Sequence, residues 1–369
     1  IRIYIRLCIY SFYSFYSWLK IFVFSVFTKV VWSVEVRLKT VARELGFALV
    51  GIAQASEADH FERFREWVDR GYAGEMAYLS KTPETRQHPE SILADVRSVV
   101  MVGLTYANSE PPPQAMGKVA KYARGPDYHE VIWEKLNLLR DWLQREVPGS
   151  SGRGVVDTAP LLERDFARRA GLGWFGKNTL LLNKTHGSFF FLGALLTSVD
   201  LVADAPHVAS HCGTCTACLK ACPTQAFPSA GWLDSRRCIS YLTIELKSSI
   251  PEEFRDALDA WLFGCDICQD VCPWNAPTES AGLPTRSDLL ALDPIALLEM
   301  SPEEYRKKFK GTALWRATGG RLRRNACLVL GNRGNAEAIP VLQRAQQDET
   351  AIVREAATWA LAKLLKNQK

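Results

Sequence analysis

Between residues 212 and 223 the chain reads C-G-T-C-T-A-C-L-K-A-C-P, a C-x2-C-x2-C-x3-C-P run, and between 265 and 273 it reads C-D-I-C-Q-D-V-C-P. Few patterns restrict a fold so strongly. Three thiolates two residues apart wrap one corner of an iron–sulfur cube, while the fourth, before proline, points away and ligates the neighbouring cube. The second run lacks its first cysteine, since Leu262 stands there. Cys238 can replace it, because a ligand need only be near in space. The spacing therefore predicts two [4Fe–4S] clusters in a ferredoxin-like segment. One takes Cys212, Cys215, Cys218 and Cys272; the other takes Cys222, Cys238, Cys265 and Cys268. The competing reading is a pair of four-cysteine zinc sites, but zinc usually takes separate C-x2-C pairs rather than interlocked triplets before C-P. Of the ten cysteines, Cys8 and Cys327 fit neither cluster, and Cys327 reads as an apolar filler on a helix face.

Thiolates held this way belong to a reducing compartment, so the expected location is the cytoplasm. The net charge of +5 owes most to Arg2, Arg6, Lys20 and Lys29, which share the first 33 residues with no acid. Nucleic-acid affinity must then come from a local patch. That leader also carries eleven aromatic residues, and Lys20 and Lys29 bracket only eight residues, too few to span a membrane. Residues 1–33 are expected to be an atypical extension outside the fold, with the protein proper beginning near Val34. A membrane-surface anchor is the other reading.

From Val34 helices and strands alternate. VEVRLKTVARELG reads as an amphipathic helix, FALVGIA as a buried strand, FERFREWVDRG as a helix and SVVMVGLTYA as a strand. After the PPP loop at 111–113, YHEVIWEKLNLLRDWLQREV is a periodic helix. VVDT, a helix from Ala159, and the strands NTLLLN and SFFFLGALLTSV joined by KTHG complete an α/β domain over residues 34–205. Residues 206–280 form the cluster domain. Residues 281–369 are helical and weakly repetitive: shifted by 31, RRNACLVLG at 323–331 overlays REAATWALA at 354–362. Such helix pairs stack as HEAT-like repeats, their small residues permitting close contact, and so few of them should dock on the main body; an ordinary helical subdomain is the other reading.

VDTAPLLERDFARRAGLGWFGKNTLLLN, GSFFFLGALL, the cysteine runs, RRCISYLTIEL and GCDICQDVCPWN together resemble epoxyqueuosine reductases, and the resemblance covers residues 34–369. It implies a cobalamin-binding domain like that of reductive dehalogenases, a two-cluster module, and a helical tail that grips tRNA. It also implies reduction of the epoxide of epoxyqueuosine at the tRNA wobble position. Converting an epoxide to an alkene takes two electrons and two protons and releases water, so a positioned acid is needed. The resemblance points to Asp157 of V-V-D-T; on local sequence alone it would be an N-cap for the helix from Ala159. The same resemblance places Arg86, Tyr122, Ala123, Arg124, Lys177, Asn178, Leu181, Ser240 and Tyr241 around the cofactor. His129 reads as a helix-start residue.

Residues 305–324, YRKKFKGTALWRATGGRLRR, hold eight Lys or Arg and no acid, with Tyr305, Phe309 and Trp315 among them. Basic side chains neutralise phosphates and aromatic rings stack on splayed bases, so Lys307, Lys308, Lys310, Arg321, Arg323 and Arg324 are expected to meet tRNA. A solvated charged face is the alternative. The expected partners are tRNA and a flavodoxin- or ferredoxin-type electron donor, with the chain acting as a monomer. A small-molecule reductive dehalogenase and a non-catalytic electron carrier are the rival functions.

Overall fold

The computed structural model describes residues 32–106, 116–275, 282–290, 292–333 and 336–367. The leader (but for its last two residues) and the PPP loop lie outside them. Four strands, β1 Leu49–Gln54, β2 Ser98–Thr105, β3 Gly152–Val155 and β4 Phe190–Thr197, form a sheet in the order β1-β2-β4-β3. Helices and strands alternate along the chain, yet every ladder in this sheet is antiparallel.

β2 is buried along its whole length because both faces of the sheet are covered. Successive side chains of a strand point to opposite faces. Val100 and Val102 join the core under helices α1 Val34–Glu44 and α3 Tyr128–Glu146, while Val99 and Met101 face α2 Phe61–Asp69 and α4 Glu163–Arg169. The periodicity of α3 puts Ile132, Leu136, Leu139 and Leu143 on its buried stripe.

Three expectations shift. The strand expected at VVDT lies earlier, at Gly152–Val155. The helix expected from Ala159 starts at Glu163. Asp157 has a φ of 51°, and tight turns at Thr158 and Leu161 fill the gap. The NTLLLN and SFFFLGALLTSV segments do not pair with each other. Leu181–Leu182 joins a separate two-stranded ribbon with Trp174–Phe175, while Phe190–Thr197 goes to the main sheet.

The cysteine segment and the helical tail share one core. Helix α5 Ile239–Ile244 contributes Ile239, Tyr241 and Leu242; α6 Thr318–Arg333 adds Cys327, Leu328 and Leu330; α7 Ala351–Asn367 adds Val353, Ala357, Ala360 and Leu364. Cys327 is fully buried there, as a filler should be. The repeat's small residues do what close packing requires: a Cβ on Gly331 would lie 2.9 Å from Ala360 Cα. A parallel pairing of Lys118–Val119 with Trp261–Phe263 ties the first domain into the cluster segment.

Candidate active site and cluster ligands

Local geometry divides seven of the eight thiols into two sets and leaves Cys268 between them. Cys212, Cys215, Cys218 and Cys272 line one small cavity with Lys177, Asn178 and Trp274. Cys272, from the second run, thus crosses to the first set. Burial pushes the Cys265 thiol up, and its neighbouring thiols are Cys238 and Cys222, so Cys222 crosses the other way. Cys268 faces Cys238, Cys265, Cys218 and Cys222 and stands between the sets. All eight are free thiols. Burial first, and neighbouring thiols second, raise Cys218, Cys265, Cys268 and Cys272. Thiols so desolvated and crowded persist as thiolates only around a strongly positive group, and the donor set suits iron cubes.

Lys177 and Asn178 serve this region rather than an open cofactor wall, and Leu181 lines neither. Lys177 Nζ donates to the carbonyls of Gly213 (2.6 Å) and Cys215 (2.8 Å), bracing the first cysteine loop. The Asn178 amide donates to the Cys268 carbonyl at 3.4 Å. Leu181 is 4% exposed and packs in the core under the sheet.

Between the α/β layer and the cluster segment lies a second, open recess of about 290 Å³. Its walls include Tyr122, Tyr128, Asp157, Cys238, Ser240 and Tyr241. Cys238, expected from the sequence to ligate the second cluster, is the residue that precedes α5. The Tyr241 hydroxyl accepts from the Glu75 amide at 2.7 Å, and only a glycine fits beside it: a Cβ on Gly74 would lie 2.4 Å from that oxygen. The structure thus brings Tyr122, Asp157, Ser240 and Tyr241 together, as the sequence led one to expect.

Ala123, Arg124 and Arg86 are not on these walls. Ala123 is fully buried in the core beneath the tail. Arg124 is 3% exposed, and its Nε donates to the Val119 carbonyl. Arg86 is 8% exposed, packed 5.8 Å from the Phe64 ring, with Glu163 and Tyr78 as its charged or polar neighbours.

The Asp157 side chain is 60% exposed, but to the recess. It caps no helix. Its Oδ2 accepts from the Tyr128 hydroxyl (3.0 Å) and lies 3.1 Å from His129 Nε2. On the far side of the ring, His129 Nδ1 lies 2.8 Å from Asp127 Oδ1, and Arg316 reaches Asp127 Oδ2 at 3.4 Å. Asp127 also caps α3, accepting from the His129 amide at 3.1 Å. Burial works to raise Asp157, but the contacts with His129 and Tyr128 outweigh it and leave the carboxyl below its usual range. Asp127 is held at about 2, since His129 and Arg316 likewise overcome burial. Burial, reinforced by the Asp157 charge, pushes Glu163 up to about 8, and its Oε1 is sealed off with no hydrogen-bond partner. Sequence reasoning missed Tyr128, His129, Arg316 and Glu163 as site residues. The one local signal was an Asp-Tyr-His triplet at the start of a helix.

The basic run is only partly a surface. Lys307 and Lys310 are exposed and Lys308 is half-buried, as are Arg321 and Arg323. Arg321 donates to the carbonyls of Ala317, Ile244 and Arg316, and Arg323 pairs with Asp348. Arg324 corrects the expectation outright. It is 1% exposed and donates to the carbonyls of Leu246, Ser248 and Leu242, pinning α6 to the segment after α5. A guanidinium spent on three buried carbonyls cannot meet a phosphate. The exposed basic surface is instead Arg306, Lys307, Lys310 and Arg316, with Trp315 at 42% exposure among them. Arg316 carries it to the rim of the recess.

Comparison with known proteins places this geometry in context. Residues 86–158 match the family described as epoxyqueuosine reductase QueG, residues 211–275 a 4Fe-4S double cluster binding domain, and residues 313–369 HEAT repeats. The chain is 43% identical over 300 residues to epoxyqueuosine reductase of Cyclobacterium marinum, covering 79% of this chain and 95% of that one. Against the Pseudomonas aeruginosa enzyme identity is 39%, covering 88% and 92%. Among solved structures, epoxyqueuosine reductase with an epoxyqueuosine-modified tRNA-Tyr stem loop superimposes with a TM-score of 0.83 at 31% identity, covering 89% of this chain and 90% of that one. The Streptococcus thermophilus enzyme gives 0.84 at 30%, covering 91% of each. The chain belongs to the epoxyqueuosine reductase family.

Proposed function

We propose that the chain reduces the epoxide of epoxyqueuosine in tRNA to the alkene of queuosine, with Asp157 as the acid at the ring oxygen. One observation carries this reading: the Asp157 carboxylate opens into a recess that is also lined by Cys238, the expected ligand of the second cluster. Electrons arriving through two clusters and a proton donor therefore meet in one cavity. The relative solved with an epoxyqueuosine-modified stem loop supports tRNA as the substrate.

The lining of the recess suits one face of a corrin, as cobalamin would present. Tyr122, Tyr128 and Phe263 offer flat apolar walls, and Ser240 beside Cys238 offers a hydroxyl. When bound, cobalamin would supply a strongly reducing, nucleophilic cobalt. The chain does the rest. Lys177 braces the loop of the first cluster, Tyr128 and His129 aim the Asp157 carboxyl, and Lys307, Lys310 and Arg316 hold the stem loop over the recess. A flavodoxin- or ferredoxin-type carrier in the cytoplasm supplies the electrons. Among the described residues no helix is long and apolar enough to cross a membrane.

The test is anaerobic incubation of the cluster-loaded protein with cobalamin, a strong reductant and epoxyqueuosine-bearing tRNA, followed by nucleoside mass analysis. Conversion to queuosine is expected. Epoxyqueuosine recovered intact would sink the assignment.

A further inference from the structure

Removing an epoxide oxygen as water places two protons on the same atom. A single carboxyl carries one, and Asp157 rests below the usual carboxylate range. At least one of the two protons therefore has to come from elsewhere. The proton must come from a neighbour, and the geometry names it.

We propose that His129 is the proton store for Asp157: its Nε2 proton passes to Asp157 Oδ2, and Asp157 hands it to the ring oxygen. This rests on the reading of Asp157 as the acid. The imidazole sits between two carboxylates, 2.8 Å from Asp127 Oδ1 and 3.1 Å from Asp157 Oδ2. In the charged ring both nitrogens donate. After transfer, Asp127 keeps the remaining proton on Nδ1 and leaves a bare Nε2 facing Asp157. Asp127 thus fixes the tautomer, and Arg316 fixes Asp127.

The proton count closes. Each pass moves one proton from Nε2 to Oδ2 and from Oδ2 to the substrate oxygen, and solvent recharges the ring. Two passes and the two electrons from the clusters turn epoxide into alkene and water.

Every charged group facing the ring bears on its titration. Asp127 and Asp157 favour the imidazolium, whereas burial and Arg316 oppose it, and the balance leaves His129 raised. The Tyr128 ring lies 3.9 Å away and shares Asp157 through its hydroxyl. Tyr122, Glu163, Glu245 and Tyr78 couple electrostatically with Asp157. His129 is a positioning residue, since it acts through Asp157.

Two readouts test the store. In the oxidised, cluster-loaded protein without cobalamin, NMR should show the His129 ring titrating above the ordinary ~6.5. Asp157→Asn should lower that midpoint by about one unit. In single-turnover reduction of tRNA-bound epoxyqueuosine, His129→Gln should slow the step about 10- to 100-fold and remove the limb of the pH profile that tracks the imidazole, leaving tRNA affinity and iron content unchanged. Added imidazole should restore part of the rate. Should His129→Gln lose its iron, Asp127→Asn serves instead, shifting that limb to lower pH. Wild-type rate and pH profile in these variants, with Asp157→Asn inactive, would overturn the store and leave the acid assignment standing. Full activity in Asp157→Asn would overturn both.

Discussion

Tyr128 binds Asp157 through its hydroxyl, 3.0 Å from Oδ2, while its ring lies within 9° of parallel to Phe191 at a centroid distance of 4.0 Å. One residue thus anchors the carboxylate to the core of the sheet. Tyr128→Phe keeps the stack and removes the donor, so the Asp157 pKa should rise. A hydrogen bond to a charged group is worth ~1.5–3 kcal/mol, discounted here because the carboxylate is partly solvated. Single-turnover rates should fall about threefold to tenfold, with iron content and thermal midpoint close to wild type.

Asp157→Asn retains the shape of the side chain and loses its proton chemistry. Loss of a general acid costs about 100- to 10,000-fold. The nucleoside product should become nearly undetectable while the clusters stay at full occupancy by iron assay.

The crossed ligands separate in mutants. Each [4Fe–4S] cluster carries four irons, so the intact protein should hold about eight per chain. Cys222→Ser lies in the first run yet should spare the set of Cys212, Cys215 and Cys218, whereas Cys272→Ser lies in the second run and should disturb that set. Low-temperature EPR of the reduced variants distinguishes the two survivors. The same surviving signal in both would refute the crossing.

Two arginine-rich predictions diverge. Lys307→Glu, Lys310→Glu and Arg316→Glu should weaken tRNA binding and reduce the salt slope by about one per phosphate contact. Arg324→Ala instead strips donors from three buried carbonyls and should destabilise the tail by about 3–5 kcal/mol. Calorimetry and filter binding together sort these effects; a stable Arg324→Ala with weakened tRNA affinity would contradict its buried role.

Glu163 gives a pH signature. Its folded-state pKa of about 8 lies above the ordinary 4.5, so between those values the folded state binds more protons than the unfolded one. Stability contributed by this group is present below 4.5 and falls as pH rises towards 8. The difference in melting temperature between Glu163→Gln and wild type should therefore grow from pH 5 to pH 8. A difference independent of pH would show that the carboxyl ionises normally.

The double-cluster segment was legible because cluster thiolates recur at short spacing. Most helix and strand positions in the first domain followed from periodicity, apart from the VVDT strand and the helix expected from Ala159, whereas strand direction did not, since a buried strand reads alike in either sense. His129 and Asp157 lie 28 residues apart and meet only because α3 and the turn after β3 converge. Arg324 looked like a surface charge because the carbonyls that claim it belong to residues 242–248, far away in sequence. In the tail, Gly331 was visible as a small residue in register, and its contact with α7 followed.

The shared core of α5, α6 and α7 has a practical consequence. Val353, Ala357, Ala360 and Leu364 cover the same apolar mass that holds Ile239 and Leu242 beside Cys238. Trimming the last two helices would therefore leave that flank bare to water, and a shortened protein should emerge from expression as sticky, pale material. The C-terminal helices therefore belong to the core of the cysteine segment itself.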